Sequence, residues 1–266
     1  MITATYFLSV IGFTLVMHFL VNDNYYLLPV WFIIALLVGF IVTLLLVIIQ
    51  LPFLNKVSLL NSYKHRLYRS VAYFLGHIIL RIKLDVTGIE NIPKDGRLTI
   101  YANHKSYVDP IILMEVVNRP TSYTPKMSVY KLPIMKQLLT SVGAFPIDRS
   151  SDRNTARAMV DAIKVVKQGV AMVIFPEGGI KDRNDIKMVA MRAGAYRLGM
   201  KAEANLLPIS IDGTTQVKHN YPFKSTKIKV TIHKPILYDD VKDLKTADIA
   251  DKVFHIINES LEKPTI

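Results

Sequence analysis

The sequence predicts an α/β domain with a mostly parallel central sheet flanked by helices, preceded by an N-terminal hydrophobic helical hairpin. Three observations predict it. Short apolar runs alternate with helix-period segments from Lys83 onward, the pattern of a layered α/β domain. Two long apolar segments occupy the first 53 residues. The residues able to carry chemistry fall at predicted strand ends, where open α/β sheets collect their sites.

Taken in order, Ile2 to Val21 holds no acid or base except His18, and Leu27 to Phe53 is more apolar still. Each is near the ~20 residues that cross a bilayer core. The short polar link 22–26, with its tyrosines and nearby Trp31, suits the tip of a hairpin with an aromatic belt. No Lys or Arg lies in the link, whereas Lys56, Lys64, Arg66 and Arg69 follow the second segment. The positive-inside rule therefore puts both hairpin ends, and the catalytic domain, on the cytoplasmic side of a cell membrane. The first segment lacks the basic start of a signal peptide. Asn61 to Ile82 mixes Lys64, Arg66, Arg69, His77 and Arg81 with Leu67, Val71, Phe74, Leu75 and Ile78. This reads as a basic amphipathic helix suited to a headgroup surface, or to packing on the domain. The organisation is thus a membrane hairpin over 1–55, an interfacial helix over 56–82 and the α/β domain over 83–266.

Within that domain, strands are expected at Leu84–Gly88, Arg97–Ala102, Ser122–Lys126, Ala144–Ile147, Val170–Phe175, Leu206–Ile211 and Lys227–His233. Helices are expected at Pro110–Val117, Ile134–Ser141, Asn154–Gln168, Val189–Leu198 and Ala247–Leu261.

Composition narrows the chemistry. The 266 residues include no cysteine, so disulfides, thiol catalysis and Cys-ligated zinc are excluded. The net charge is +12, and Asp23 is the only charged side chain in the first fifty residues. The basic remainder favours polyanions such as anionic lipid headgroups, nucleic acid or an acidic carrier. No aromatic-and-basic motif of a nucleic-acid module accompanies it.

Four stretches can carry chemistry. In the first, His104 follows an apolar strand and Asp109 precedes Pro110. A carboxylate five residues on, across a turn, can accept Nδ1–H and leave Nε2 free as a base for a hydroxyl. A helix cap at Asp109 and a turn hydrogen bond at His104 explain the same spacing. In the second, Gly143 to Arg149, Arg149 sits just past a strand and can fork onto a phosphate or pair with Asp148 or Asp152. In the third, Phe175-Pro176-Glu177-Gly178-Gly179, the glycines allow close backbone approach. Glu177 can hold a ligand hydroxyl, orient a cation or sit solvated in a tight turn. In the fourth, Pro208 either shapes a pocket wall or marks an edge or bulge.

In this order and spacing the blocks resemble the glycerolipid acyltransferase family, which includes the lysophosphatidate acyltransferases. The resemblance covers roughly Asp85 to Ile211, and Lys126 and Arg192 to Ala195 also look like family positions. It implies that His104 is the general base and Asp109 its orienting partner. It implies an acceptor hydroxyl attacking an acyl thioester directly, with no metal and no cofactor beyond acyl-CoA or acyl-acyl carrier protein as co-substrate. Arg149 would bind the acceptor phosphate, and Glu177 with Gly178 would help form the acceptor site. The membrane bilayer, a lysophospholipid and the donor are the implied partners; nucleic acid is not. One departure stands out: the third block usually continues Thr-Arg-Ser, but here it continues Gly179-Ile180-Lys181. Lys181 or Arg183 is the available substitute, a point charge or a displaced fork. Glycerol 3-phosphate or another lysophospholipid is therefore the rival acceptor, and a non-catalytic, membrane-tethered lipid binder is the rival of another class. A serine hydrolase is disfavoured by the absence of a Gly-x-Ser-x-Gly elbow.

Overall fold

The computed structural model describes residues 1–21, 24–146, 152–180, 186–188 and 191–261. The chain opens with α1 (Ile2–Val16), extended by a π-helical turn over Met17–Val21. After a 3-10 turn at Tyr25–Leu27 it returns as α2 (Leu28–Lys56). Both arms are long and apolar enough to cross a membrane, and most of their surface is not covered by the protein. Several hydroxyls in these arms are satisfied by the carbonyls of their own helix. Ser9, Thr14 and Thr43 hydroxyls donate to the carbonyls of Thr5, Val10 and Gly39 at 2.7–2.9 Å. That removes the cost of hydroxyls in an apolar medium. The arms cross closely at Gly39, where a Cβ would stand 2.7 Å from Val10 Cγ2.

Next comes α3 (Ser62–Tyr73), capped by the Asn61 side chain accepting from Lys64 N–H, and continued by a π-helical turn at Phe74–Ile79. Its basic side chains are not simply a solvated face. Lys64 is buried, its Nζ donating to Val57 O at 2.9 Å and Ser141 O at 2.8 Å. Burial lowers its pKa. Arg69 donates to Glu115 O, and His77 meets the Glu115 carboxylate at 2.8 Å. The helix therefore packs on the domain through charges that sequence assigns to its polar face. Ser70 in turn takes the Ile2 N–H at 2.8 Å, which ties the start of α1 to it.

The sheet contains β1 (Ile82–Thr87), β2 (Leu98–Ala102), β3 (Thr121–Tyr123), β4 (Ala171–Ile174), β5 (Asn205–Asp212) and β6 (Thr226–Ile232), in the order β1-β6-β5-β2-β4-β3. Every neighbouring pair is parallel except β5–β6. The carboxyl ends of β2 to β5 thus share one edge with the amino ends of β1 and β6. Around the sheet lie α4 (Asp109–Val116), α5 (Met135–Ser141), α6 (Asp152–Lys167), α7 (Arg197–Ala202), the short α8 (Val217–Asn220) and α9 (Thr246–Leu261). All residues of β2 and β4 are buried, with alternate side chains in two cores. Leu98, Ile100 and Ala102 face the core shared with α3 and α4. Tyr101 and Met172 face the core under α6, α7 and α9. Continuous apolar runs are what strands covered on both faces require.

Three expected elements differ. Of the strand expected at Ala144–Ile147, Ile147 lies outside the described residues and none forms over 144–146: Pro146 lacks an N–H, and among the described residues the segment leans on β3 through Phe145 N–H to Tyr123 O. Ser122–Lys126 shortens to Thr121–Tyr123, because Pro125 disfavours continuation. Of the helix expected at Val189–Leu198, residues 189–190 lie outside the described residues. Met191 and Arg192 are not helical; a 3-10 turn at Ala193–Tyr196 leads into α7. Pro208 is not at an edge. It sits inside β5 between Leu206, bridged to Ile236, and Ile209, paired with Ile232. Three steps on β5 face four on its partner, so a bulge spares the proline its missing donor.

Candidate active site

The site is built at the carboxyl edge of β2, β4 and β5. Where β2 ends, buried Asn103 bonds the β5 backbone both ways: its Nδ2 donates to Ile211 O at 2.7 Å and its Oδ1 accepts Ile211 N–H at 2.8 Å. The chain then turns through 104–108 into α4, with Pro110 in the first turn where its missing N–H costs nothing.

Asp109 is the first helical residue, and it does not cap its own helix. Its Oδ2 turns back to accept His104 Nδ1–H at 2.9 Å, Lys105 N–H at 2.8 Å and Ser106 N–H at 2.8 Å. Oδ1 is buried without a hydrogen bond, so all orientation runs through Oδ2. The capped-helix explanation of the spacing is thereby set aside. The bond to Nδ1 fixes the tautomer and leaves the Nε2 lone pair available. The His104 side chain is 14% exposed, against 1% for Asp109. Its ring stacks on Phe175 with centroids 4.1 Å apart and planes 20° apart, so packing as well as hydrogen bonding holds the imidazole.

Glu177 closes the arrangement from β4. It is fully buried; Oε1 accepts His104 N–H at 2.8 Å and Oε2 pairs with buried Lys105 Nζ at 3.4 Å. Of the roles sequence leaves open to Glu177, the structure shows the orientation of a cation. Its carboxylate is directed at the catalytic turn through His104 N–H and Lys105 Nζ. Lys105, without a role in the motif as read from sequence, supplies the countercharge that makes a buried Glu177 tolerable.

Gly178 has φ +74°, in the left-handed region that favours glycine. A Cβ there would stand 2.7 Å from Arg192 Nε and 3.0 Å from Arg192 Cζ. Arg192 therefore lays its guanidinium across the glycine, with its own N–H on Pro176 O at 3.0 Å. It is exposed, and its guanidinium makes no hydrogen bond or ion pair among the described residues. The preceding chain is anchored by buried Asn258, which bonds the Met188 backbone N–H at 2.8 Å and carbonyl at 3.3 Å. Lys126 is exposed and begins the 3-10 turn Met127–Lys131 just beyond β3, at the same sheet edge. Tyr130 from that turn donates to Ala144 O, and burial pushes its phenol up to about 12. Arg149 and Lys181 lie outside the described residues. Among the described residues no three His, Asp or Glu side chains gather as metal ligands would.

So His104, Asp109, Glu177 and Gly178 come together, and Asn103, Lys105, Phe175 and Arg192 join them. In the sequence, Asn103 and Lys105 are signalled only by adjacency to His104, whereas Phe175 belongs to the third block and Arg192 to the stretch that looks like family positions.

Known proteins match this architecture. Residues 83–212 fit the family model described as Acyltransferase. A 1-acyl-sn-glycerol-3-phosphate acyltransferase of Borreliella burgdorferi is 31% identical over 161 residues, 60% of this chain and 64% of that protein. The chloroplastic 1-acyl-sn-glycerol-3-phosphate acyltransferase BAT2 of Brassica napus is 25% identical over 83% of this chain and 64% of its own length. The chain thus spans a little under two thirds of each of these relatives. The crystal structure of the 1-acyl-sn-glycerophosphate (LPA) acyltransferase PlsC of Thermotoga maritima shares the fold, with TM-score 0.64 and 23% identity over 75% of this chain and 79% of that one. With the His104 and Glu177 blocks on one sheet edge, residues 83–212 match the Acyltransferase family and resemble the lysophosphatidate acyltransferases.

Proposed function

We propose that this protein is a membrane-bound O-acyltransferase that moves a fatty acyl group from acyl-CoA or acyl-acyl carrier protein to the free hydroxyl of lysophosphatidate, making phosphatidate. The observation that carries it is His104 held by Asp109 through Nδ1 with Nε2 open. Nε2 takes the proton of the acceptor hydroxyl as its oxygen attacks the thioester carbonyl carbon. The C–S bond of the tetrahedral intermediate then breaks, and the departing thiolate takes the proton back from Nε2. No residue becomes acylated. Imidazolium forms transiently, and the Asp109 carboxylate stabilises it.

Acceptor phosphate recognition falls to arginines and lysines at the same sheet edge. Arg149, Lys126 and Lys181 are the family-like candidates. Arg192 adds a planar fork beside Gly178, near where the family carries arginine and this chain has Ile180. The relatives named as 1-acyl-sn-glycerol-3-phosphate acyltransferases favour lysophosphatidate over glycerol 3-phosphate. The hairpin would keep the domain at the bilayer where such an acceptor resides, and the charge flanks favour the cytoplasmic side for that domain.

The test is an acceptor panel of lysophosphatidate, glycerol 3-phosphate and lysophosphatidylcholine, with labelled acyl-CoA and acyl-carrier protein, using purified protein in detergent. Transfer should be fastest to lysophosphatidate. No turnover with any pair would refute the enzyme; a faster rival acceptor would reassign the substrate.

A further inference from the structure

The segment joining β5 to β6 reaches the same sheet edge as the catalytic turn. Five lysines and no acid lie between Asp212 and Asp239. Phe223 is 85% exposed, Tyr221 47% and, on the catalytic turn itself, Tyr107 77%. Tyr107 and Tyr221 face one cleft of about 230 Å³, with Leu80, Val108 and Lys218 among its walls. These aromatics are not on a loose tip. Tyr221 N–H bonds Val217 O at 2.9 Å, and Lys224 N–H bonds Asn220 O at 2.7 Å. Asn220 Nδ2 donates to Thr226 Oγ1 at 3.0 Å, and Arg81 Nη1 donates to Pro222 O at 3.3 Å. A bonded turn is holding Phe223 out in solvent, among Lys218, Lys224 and Arg81.

We propose that residues 218–224, together with Tyr107, form a second membrane-contact surface that seats the catalytic edge on an anionic phospholipid bilayer. Exposed Tyr and Phe among lysines is the composition of a protein surface at the headgroup layer. Placement agrees. The helical rod that starts where the hairpin leaves off ends at Leu80 and Arg81, against this patch. Eighteen residues of helix span roughly 27 Å, so the end of α2 and the patch are separated contacts, with α1 meeting the rod between them at Ser70. One tether lets a domain swivel; two fix the mouth of the cleft against the lipid surface. The proposal rests on the bilayer as the protein's working surface, not on the identity of its acceptor. A carrier protein is the rival occupant, and the test separates the two.

The chain has no cysteine, so a single nitrobenzoxadiazole label can be placed on full-length Phe223→Cys reconstituted in vesicles of phosphatidylcholine and phosphatidylglycerol in equal parts. The label should emit to the blue, be quenched by nitroxide lipid and be shielded from iodide. The comparison is Leu237→Cys, half exposed at the opposite sheet edge beside Asn205; its label should stay open to iodide. Adding Lys218→Glu and Lys224→Glu should release the Phe223 label to iodide. A Phe223 label as accessible as that at Leu237 overturns the proposal, as does shielding that appears only on adding acyl-carrier protein. A label on Ile33→Cys reads the hairpin independently: loss of lipid quenching there with quenching kept at Phe223 removes the hairpin's role and leaves this surface standing.

Discussion

Replacing His104 by Ala takes away the only group with a free basic nitrogen on the catalytic turn, and kcat should fall by ~10³-fold with the melting temperature unchanged. Asp109→Asn is the sharper probe. An amide oxygen at the Oδ2 position can still accept all three N–H bonds, while the NH2 occupies the place of the unbonded Oδ1. Geometry is kept and charge is lost, so the drop should be smaller, about 10²-fold; equal losses in the two variants would mean that Asp109 does more than stabilise imidazolium. Glu177→Ala strands a buried lysine, and removing one partner of such a pair costs about 3–5 kcal/mol. Chemical denaturation should register that loss, whereas a substrate contact would lower turnover and leave stability alone. For Arg192→Ala the acceptor KM should rise ten- to hundredfold, the worth of one or two hydrogen bonds to a charged group, with the donor KM unmoved. The residue chemistry here was partly legible. The His-x4-Asp spacing with Pro110 announces a strand, a turn and a helix, and therefore a carboxylate that can fold back. Arg192 on Gly178 was not legible, since thirteen residues of chain intervene and the approach of the two is a tertiary contact.

Among the elements, α1 and α2 depend on a close crossing. Gly39→Leu forces side-chain volume into a gap already filled by Val10, Tyr6 and the Tyr6 carbonyl. Overpacking of this kind costs about 1–3 kcal/mol; thermal scans in detergent should show an earlier transition, and Gly12→Leu, with open space around it, should show none. The helix after the hairpin carried a misleading signal. Its periodicity reads correctly, but Lys64, Arg69 and His77 serve carbonyls and a carboxylate of the domain. Charge in sequence marks a face as polar without saying whether its partner is water, lipid headgroup or the C-terminal carbonyls of another helix. Strand ends missed by a few residues have the same origin: Pro125 and Pro146 cut pairing, and pairing is a property of the neighbour.

Across the whole molecule, acid should weaken the fold before it reaches ordinary carboxylate values. Burial lowers the pKa of His65 and His233 below the usual 6.5. His233 Nε2 donates to Ser210 Oγ, which donates onward to Ile257 O, so the neutral ring is built into the contact between β5 and α9. The unfolded chain takes up protons on these rings below about pH 6.5 while the folded chain resists. The unfolded state then binds more protons, and stability falls as pH falls through that value, levelling off below the depressed folded pKa. Melting temperature should decline from pH 7 to 5, with a shallower slope in His233→Gln.

Local order was readable from the residues themselves. Alternating apolar periods, two uncharged segments and four motif blocks specify an α/β layer, a hairpin and the edge at which His104 sits, because periodicity, turn chemistry and transfer energy act over a few neighbouring residues. Tertiary structure decided the rest. It reversed β6 against β5, put Pro208 at a bulge, joined Glu177 to Lys105 across 72 residues, and set Arg192, Tyr107 and Phe223 around the site. Those juxtapositions follow from strand order and from which buried charges find partners, and both are settled only when the sheet closes.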